Sequence, residues 1–182
     1  MTRRAAALAA GIAIGTIVGI CLPGDLRPAA MKLEPAGFSL RAAQAAVRAP
    51  DFRLPLLGGG TTGLGAYKGK PVILLFWAPW CPTCNGEAPG WERAYRDAKA
   101  KGVAMLGVGL LDGPQACRGF VARYHLSFPN AYDADGRVAK AYGFTYQPYW
   151  AVISRAGLLI RHEYGPTSQA ELRTTIETLA GQ

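Results

Sequence analysis

The sequence contains few residues of the kinds that bind metals in proteins. It has four cysteines and two histidines in 182 residues. A zinc site built on the spacing of Cys81 and Cys84 would need two further ligands, but Cys21, Cys117 and both histidines lie at no ligand spacing from that pair. Covalent haem attachment needs a histidine directly after the second cysteine, and Asn85 occupies that position. The sequence therefore predicts neither a metal site nor a haem site at this cysteine pair.

Charged residues are also sparse, at 18% of the chain, and the net charge is +8. Residues 1–50 carry six basic and two acidic side chains, and residues 51–182 carry fourteen and ten. A nucleic-acid-binding surface typically has a dense run of basic residues or basic residues interleaved with aromatic side chains. The basic residues of this chain show neither pattern. We therefore expect a solvated surface and no nucleic-acid partner.

The N-terminal residues have the layout of an export signal. The uncharged, mostly apolar run Ala5–Leu22 follows two arginines, and its 18 residues are near the minimum length for a helix that crosses a membrane. The arginines favour a cytoplasmic N-terminus, so the rest of the chain would face a compartment where disulfides persist. Cys21 is a poor lipidation site because Ile20 stands where a small residue is expected.

These features divide the chain into three parts. The sequence predicts a signal anchor or signal peptide over residues 1–22, a linker over residues 23–48, with a short helix over 38–47, and a folded domain over residues 49–182. An uncleaved anchor is favoured, and release by cleavage near Ala29 is the alternative. We therefore expect a cell-membrane protein with a single N-terminal anchor and an extracytoplasmic (periplasmic) domain.

The central feature of the folded domain is an apolar run that ends in two cysteines. Val72–Trp77 predicts a buried strand, and Pro82 is suited to the first position of a helix. Cys81 would therefore lie at a helix N-terminus, where unpaired N–H groups and the helix dipole favour a thiolate. Cys84 would lie one turn into the helix. This spacing favours a pair that cycles between dithiol and disulfide, although a structural disulfide remains an alternative.

The residues around the pair resemble a known family. Phe76–Cys84, followed by Glu87 and Pro89, is similar to the TlpA/ResA/CcmG (DsbE) group of thioredoxin-like disulfide oxidoreductases. The resemblance runs from about Ala49 to the C-terminus and includes the segment Asp133–Gly143. Ala78 stands where a peroxidatic cysteine site would carry threonine or serine, so a peroxidase is not predicted.

The alternation of strand and helix patterns, followed by a hairpin and a last helix, favours an α/β domain with a mixed sheet. The resemblance implies the specific form of that domain. It is a thioredoxin-like fold with a central mixed β-sheet flanked by helices. It carries an N-terminal β-hairpin extension and an inserted strand–helix unit between the cysteine pair and Pro148.

The resemblance also implies roles for individual residues. Cys81 would be the attacking thiolate and the more exposed cysteine, and Cys84 would be the shielded resolving thiol. Cytosolic thioredoxins carry a buried aspartate where this chain has Leu75, so Glu87 would take the acid–base role, with a pKa raised by burial. The alternative is that Glu87 is a solvated helical glutamate. No cofactor is expected beyond the redox-active Cys81–Cys84 disulfide.

A second group of residues is expected to contact the substrate. Pro148 matches the cis-proline of the family, and the backbone before it pairs with extended substrate there. In this chain that residue is Gln147, where threonine or valine is commoner. Trp80, Pro82 and Thr83 are expected to shape the surface around the disulfide.

Three functions remain open from the sequence. The favoured one is an extracytoplasmic, membrane-tethered thiol–disulfide oxidoreductase. It would reduce the cysteines of apocytochrome c to thiols and take electrons from a membrane thiol donor of the CcdA/DsbD type. The second is a DsbE-type oxidase that acts on secreted proteins and passes electrons to a membrane acceptor. The third is a redox-inert binding or assembly module, against which the intact Cys81 and Cys84 pair argues.

Overall fold

The structure is a computed structural model that describes residues 47–182. The expected signal segment 1–22 and almost all of the linker 23–48, including the helix expected over 38–47 apart from Val47, lie outside the described residues. Within residues 47–182, no helix is both long enough and apolar enough to cross a membrane.

The strands of the described part form one large sheet and one small one. Their bounds are β1 Val47–Arg48, β2 Arg53–Pro55, β3 Thr61–Gly63, β4 Val72–Trp77, β5 Ala104–Leu110, β6 Asn130–Asp133, β7 Tyr149–Ile153 and β8 Leu158–Tyr164. The large sheet has the order β1-β8-β7-β4-β5-β6. Strands β4, β5 and β6 run parallel, whereas β7, β8 and β1 are joined in antiparallel pairs. The sheet is therefore mixed, as the sequence predicts.

The helices of the described part lie between or after these strands. Their bounds are α1 Pro82–Ala100, α2 Gly113–Arg123, α3 Arg137–Ala141 and α4 Gln169–Ala180, and a 3-10 helix spans Leu64–Tyr67. Glycine at position 143 follows α3 with a φ of 81°, a left-handed conformation that side chains disfavour and that ends the helix there. Ser168 is the N-cap of α4, and its hydroxyl accepts a hydrogen bond from the N–H of Glu171 at 3.1 Å.

The sheet has a hydrophobic core on each face. On one face, α1, α2 and α4 pack through apolar residues such as Trp91, Phe120 and Ile176 onto alternate residues of the sheet. On the other face, the β2–β3 hairpin and α3 cover the remaining alternate residues with Leu54 and Ala139. Both faces of β4 are buried, which explains its unbroken apolar sequence.

Two additions to the thioredoxin-like core have the places that the resemblance implies. The N-terminal hairpin pairs Arg53–Pro55 with Thr61–Gly63 and carries its three-glycine turn between them. The inserted unit consists of β6 and α3, and β6 extends the parallel part of the sheet beside β5. The expected thioredoxin-like fold is thereby confirmed.

The first strand begins within the segment that the sequence assigns to the linker. Val47 and Arg48 pair with Leu159 and Leu158 at the outer edge of β8. Both residues are exposed, so they carry no apolar periodicity from which a strand could be predicted. The ordered sheet therefore includes two residues before the expected domain start.

Candidate active site

The two cysteines lie where β4 ends and α1 begins. Cys81 is the N-cap of α1, with φ −72° and ψ 114°, and Pro82 follows at the first helical position. The Cys81 Sγ accepts a hydrogen bond from the backbone N–H of Cys84 at 3.2 Å. Because helix N-termini carry unpaired donors and a partial positive charge, this position stabilises negative charge on the Cys81 sulfur.

Cys81 and Cys84 form a disulfide, with their Cα atoms 5.2 Å apart. Cys84 is completely buried and Cys81 is only 3% exposed. Cys81 is the more exposed of the two cysteines, but its exposed fraction is much smaller than its place at the start of a helix suggests. Both residues belong to the core cluster that also holds Leu75 and Ala88. Although Cys81 belongs to the loop between β4 and α1, the disulfide therefore lies at the margin of a hydrophobic core and is almost inaccessible to solvent.

Glu87 lies one turn after Cys84 on α1, on the same helix face. Its Oε1 accepts a hydrogen bond from the backbone N–H of Thr167, whereas its buried Oε2 has no hydrogen-bond partner. Burial raises the pKa of Glu87 from 4.5 to about 7, the Thr167 hydrogen bond opposes that rise, and the nearby charge of Glu171 adds to it. The geometry therefore gives a carboxyl that can change protonation near neutral pH.

Gln147 and Pro148 lie immediately before β7, and the peptide bond between them is cis. The carbonyl of Pro148 accepts a hydrogen bond from Gly165 N–H at 2.9 Å. In the sheet, Tyr149 pairs with Phe76 of β4 and with Tyr164 of β8. One end of the sheet thus brings together the C-terminal ends of β4, β5 and β8 and the start of β7; we call it the disulfide edge.

Four of the six exposed large hydrophobic side chains of the described residues lie at the disulfide edge. They are Trp80 (55% exposed), Leu111 (59%), Tyr146 (57%) and Tyr164 (37%). The rings of Tyr146 and Tyr164 stack with centroids 4.6 Å apart. The predicted contact residues Pro82 and Thr83 are exposed there as well. Exposed apolar area concentrated beside a reactive group is typical of a protein-binding surface.

Sequence reasoning missed Tyr146 and Tyr164, since isolated tyrosines in a short loop and at a strand end carry no distinctive pattern. It also missed Asn85 and Tyr124. The Asn85 Nδ2 donates to the carbonyls of Pro79 at 2.9 Å and Cys81 at 2.7 Å, and the Tyr124 hydroxyl donates to Asn85 Oδ1 at 2.7 Å. The contact between Asn85 and Tyr124 joins residues 39 positions apart in the chain.

The remaining cysteine of the described part, Cys117, forms no disulfide. Cys117 is completely buried on α2. Burial raises the pKa of its thiol to about 11, helped by Asp112 and opposed by Arg118. A thiol of that kind is unreactive at neutral pH. Among residues 47–182, no group of three or more metal-binding side chains is placed to hold an ion.

Comparison with known proteins identifies the family. Residues 45–164 match the family model described as AhpC/TSA. The chain belongs to the AhpC/TSA family. Within it, the chain is a TlpA/ResA/DsbE-like protein, as its relatives indicate.

The thiol–disulfide oxidoreductase ResA of Bacillus thuringiensis subsp. konkukian is 32% identical to this AhpC/TSA-family chain over 131 residues, 72% of this chain and 76% of ResA. A crystal structure of a secreted Mycobacterium tuberculosis disulfide oxidoreductase homologous to E. coli DsbE has 33% identity and a TM-score of 0.64, covering 70% of this chain and 96% of that one. A DsbE-type thiol:disulfide interchange protein of Chlorobium tepidum has 29% identity and a TM-score of 0.69, covering 75% and 97%.

This AhpC/TSA-family protein is therefore an enzyme, a thiol–disulfide oxidoreductase of the thioredoxin-like type. Such enzymes use redox-active cysteines without a further cofactor. Their substrates are proteins that contain cysteine.

Proposed function

We propose that the protein exchanges disulfides with exported proteins through Cys81 as attacking thiolate, Cys84 as resolving thiol and Glu87 as proton acceptor and donor. The hydrogen bond from Cys84 N–H to Cys81 Sγ carries this assignment. It gives Cys81 a donor that stabilises its thiolate, and Cys84 is the more deeply buried of the two cysteines. The family and the intact pair argue against the redox-inert module.

In the reducing direction, the Cys81 thiolate attacks one sulfur of a substrate disulfide. The substrate S–S bond breaks, a mixed disulfide forms, and one substrate thiolate leaves and takes a proton from water. Cys84 then loses its proton to Glu87 and attacks Cys81 Sγ. The second substrate thiolate leaves, two electrons have passed to the substrate, and the enzyme holds the Cys81–Cys84 disulfide. Oxidation of a substrate dithiol runs through the same steps in reverse.

Glu87 suits the proton transfer because its pKa of about 7 leaves both protonation states populated near neutral pH. Its buried, unpartnered Oε2 can accept a proton without breaking the hydrogen bond to Thr167. A glutamate with both carboxyl oxygens in water has a lower pKa and would bind a proton far less readily at neutral pH. Glu87→Gln should therefore slow release of the mixed disulfide and leave its formation by Cys81 unaffected.

The substrate would lie across the disulfide edge. Its cysteine must approach Cys81 Sγ, which brings its neighbouring residues over Trp80, Pro82 and Thr83 on one side and over Gln147 and Pro148 on the other. The stacked Tyr146 and Tyr164 extend this uncharged surface. An extended segment with apolar side chains beside its cysteine would bury the most area there.

We propose that the enzyme is tethered to the cell membrane by residues 1–22 and works outside the cytoplasm. The resemblance of the residues around the cysteine pair to ResA-like and CcmG-like proteins favours a reductant that converts the cysteines of apocytochrome c to thiols and is itself reduced by a membrane thiol donor of the CcdA/DsbD type. The similarity to the secreted M. tuberculosis oxidoreductase favours the second candidate, an oxidase of secreted proteins released after cleavage of the signal.

The reduction potential distinguishes the two directions. The full-length protein would be equilibrated with glutathione buffers, and the fraction in the dithiol form would be measured by alkylation. The Cys117→Ala variant is the control for alkylation of the Cys117 thiol. A potential of about −120 mV indicates an oxidant, and a potential at or below about −220 mV indicates a reductant that needs an electron donor. Cys84→Ser should trap mixed disulfides and Cys81→Ser should not. Absence of a reversible couple would refute the proposal.

A further inference from the structure

The loop that carries Cys81 has few backbone donors of its own. It connects the end of β4 at Trp77 with the start of α1 at Pro82, and both Pro79 and Pro82 lack an N–H. Cys81 N–H bonds the carbonyl of Ala78 at 3.1 Å. The carbonyl of Cys81 accepts the backbone N–H of Asn85 at 3.0 Å in α1, and both this carbonyl and that of Pro79 also have a side-chain donor from α1.

That donor is the side chain of Asn85. One amide nitrogen bridges both carbonyls, at 2.9 Å to Pro79 and 2.7 Å to Cys81. The orientation of the amide is determined by its surroundings, because the reverse orientation would place Oδ1 against two carbonyl oxygens. In the orientation present, Oδ1 accepts the hydroxyl of Tyr124 at 2.7 Å. An aspartate here would set a negative oxygen against the same carbonyls.

Tyr124 is itself held by aromatic packing that leads back to the start of the loop. Its ring contacts Phe120 edge-on at 4.9 Å, and Phe120 stacks on Trp77 at 4.3 Å and 19°. Trp77 is the last residue of β4, four positions before Cys81. Both ends of the Cys81 loop are thus fixed to α2, one through an aromatic stack and the other through Asn85.

We propose that Asn85, held by Tyr124, is the positioning residue that keeps Cys81 at the helix N-terminus when the disulfide is open. In the oxidised enzyme the covalent bond keeps Cys81 beside Cys84. In the dithiol that bond is absent. Cys81 Sγ then stays within reach of Cys84 N–H, which stabilises the thiolate, through the helical hydrogen bond from Asn85 N–H to the Cys81 carbonyl and through the bridge made by the Asn85 side chain. The inference rests on the proposed role of Cys81 as the attacking thiolate.

The test compares Asn85→Ala, Asn85→Asp and Tyr124→Phe with the wild type in the full-length reduced protein. Thiolate formation at Cys81 would be followed by ultraviolet absorbance against pH, and the dithiol–disulfide equilibrium by glutathione titration. Tyr95→Phe is the matched control, because Tyr95 packs on Phe128 further along α1 at 5.6 Å.

Loss of the two hydrogen bonds in Asn85→Ala should raise the Cys81 pKa by about one unit. Because its thiolate is less stable, the dithiol should become about tenfold easier to oxidise. This change corresponds to a fall of about 30 mV in the reduction potential. Asn85→Asp should shift both quantities further, because it also adds negative charge beside the thiolate. Tyr124→Phe should shift both in the same direction by less, and Tyr95→Phe should shift neither.

A different pattern would overturn the proposal. If Asn85→Ala lowers the thermal midpoints of the oxidised and reduced forms equally and leaves the Cys81 pKa and the equilibrium at wild-type values, Asn85 only stabilises the fold. If Asn85→Ala does not fold, Tyr124→Phe decides, since it retains the ring. A wild-type Cys81 without a lowered pKa would instead refute the proposed role of Cys81.

Discussion

The replacement of Glu87 by glutamine should remove a pH dependence from the stability of the oxidised protein. The cause is the burial of the Glu87 carboxyl, which raises its pKa from 4.5 to about 7 against the opposing hydrogen bond from Thr167. Since the folded protein binds this proton more tightly than the unfolded chain does, the contribution of Glu87 is complete below a pH of about 4.5. It is lost as the pH rises through about 7.

The size of the effect follows from the shift in pKa. A rise from 4.5 to about 7 corresponds to at most about 3 kcal/mol of unfolding free energy. Because the side chain is only about half buried, solvent screening reduces the expected value to about 1–2 kcal/mol. Glutamine has nearly the same shape and does not ionise, so the variant should lack this decline.

The assay is urea denaturation of the oxidised wild type and Glu87→Gln at pH 5 and pH 8. Other titrating groups are common to both proteins, so the difference between their pH responses isolates Glu87. Glu177→Gln is the matched control, because Glu177 is exposed on α4 with Lys101 at 3.7 Å, and it should retain the wild-type response. Parallel pH responses in wild type and Glu87→Gln would mean that burial does not raise the pKa of Glu87 above its value in the unfolded chain, and the proton-transfer role would be refuted.

Three further predictions concern the disulfide edge and the core. Trp80→Ala and Tyr146→Ser should each raise the KM for a protein substrate several-fold and leave the reduction potential unchanged; an unchanged KM in both would exclude them from the binding surface. Cys117→Ser should leave the potential unchanged and lower the unfolding free energy by about 1–3 kcal/mol in urea denaturation, because it buries a hydroxyl. Gly109→Ala should destabilise by about 1–3 kcal/mol in the same assay, since its Cβ would lie 2.9 Å from the Cys117 sulfur and 3.2 Å from the Trp77 ring; full stability would contradict this packing.

The parts of the fold that follow from local sequence were predictable. The apolar run Val72–Trp77 forms β4, because a short apolar run bounded by glycine and proline favours a buried strand, and Pro82 begins α1, because its fixed φ suits the first position of a helix. The turn over residues 58–60 joins the predicted hairpin strands. The resemblance to a known family supplied the cis bond before Pro148, which no local pattern requires.

The contacts that give the cysteine pair its chemistry were not predictable from the sequence. Asn85 meets Tyr124 across 39 positions, and Glu87 meets Thr167 across 80. Both contacts depend on how α2 and the start of α4 pack beside α1, and hydrophobic periodicity does not specify side-chain partners. The near-complete burial of Cys81 has the same origin, since it depends on neighbours from several elements.

The burial of both sulfur-bearing residues affects which molecules can exchange electrons with the enzyme. With Cys81 3% exposed and Cys84 fully buried, a small thiol in solution should react slowly with the S–S bond, so that glutathione reaches equilibrium with the enzyme only over long incubation. Exchange rates depend on access as well as on potential. A partner whose surface fits around Trp80 can bring its own sulfur into line with Cys81, so the enzyme can stay out of equilibrium with surrounding small thiols while exchanging rapidly with that partner.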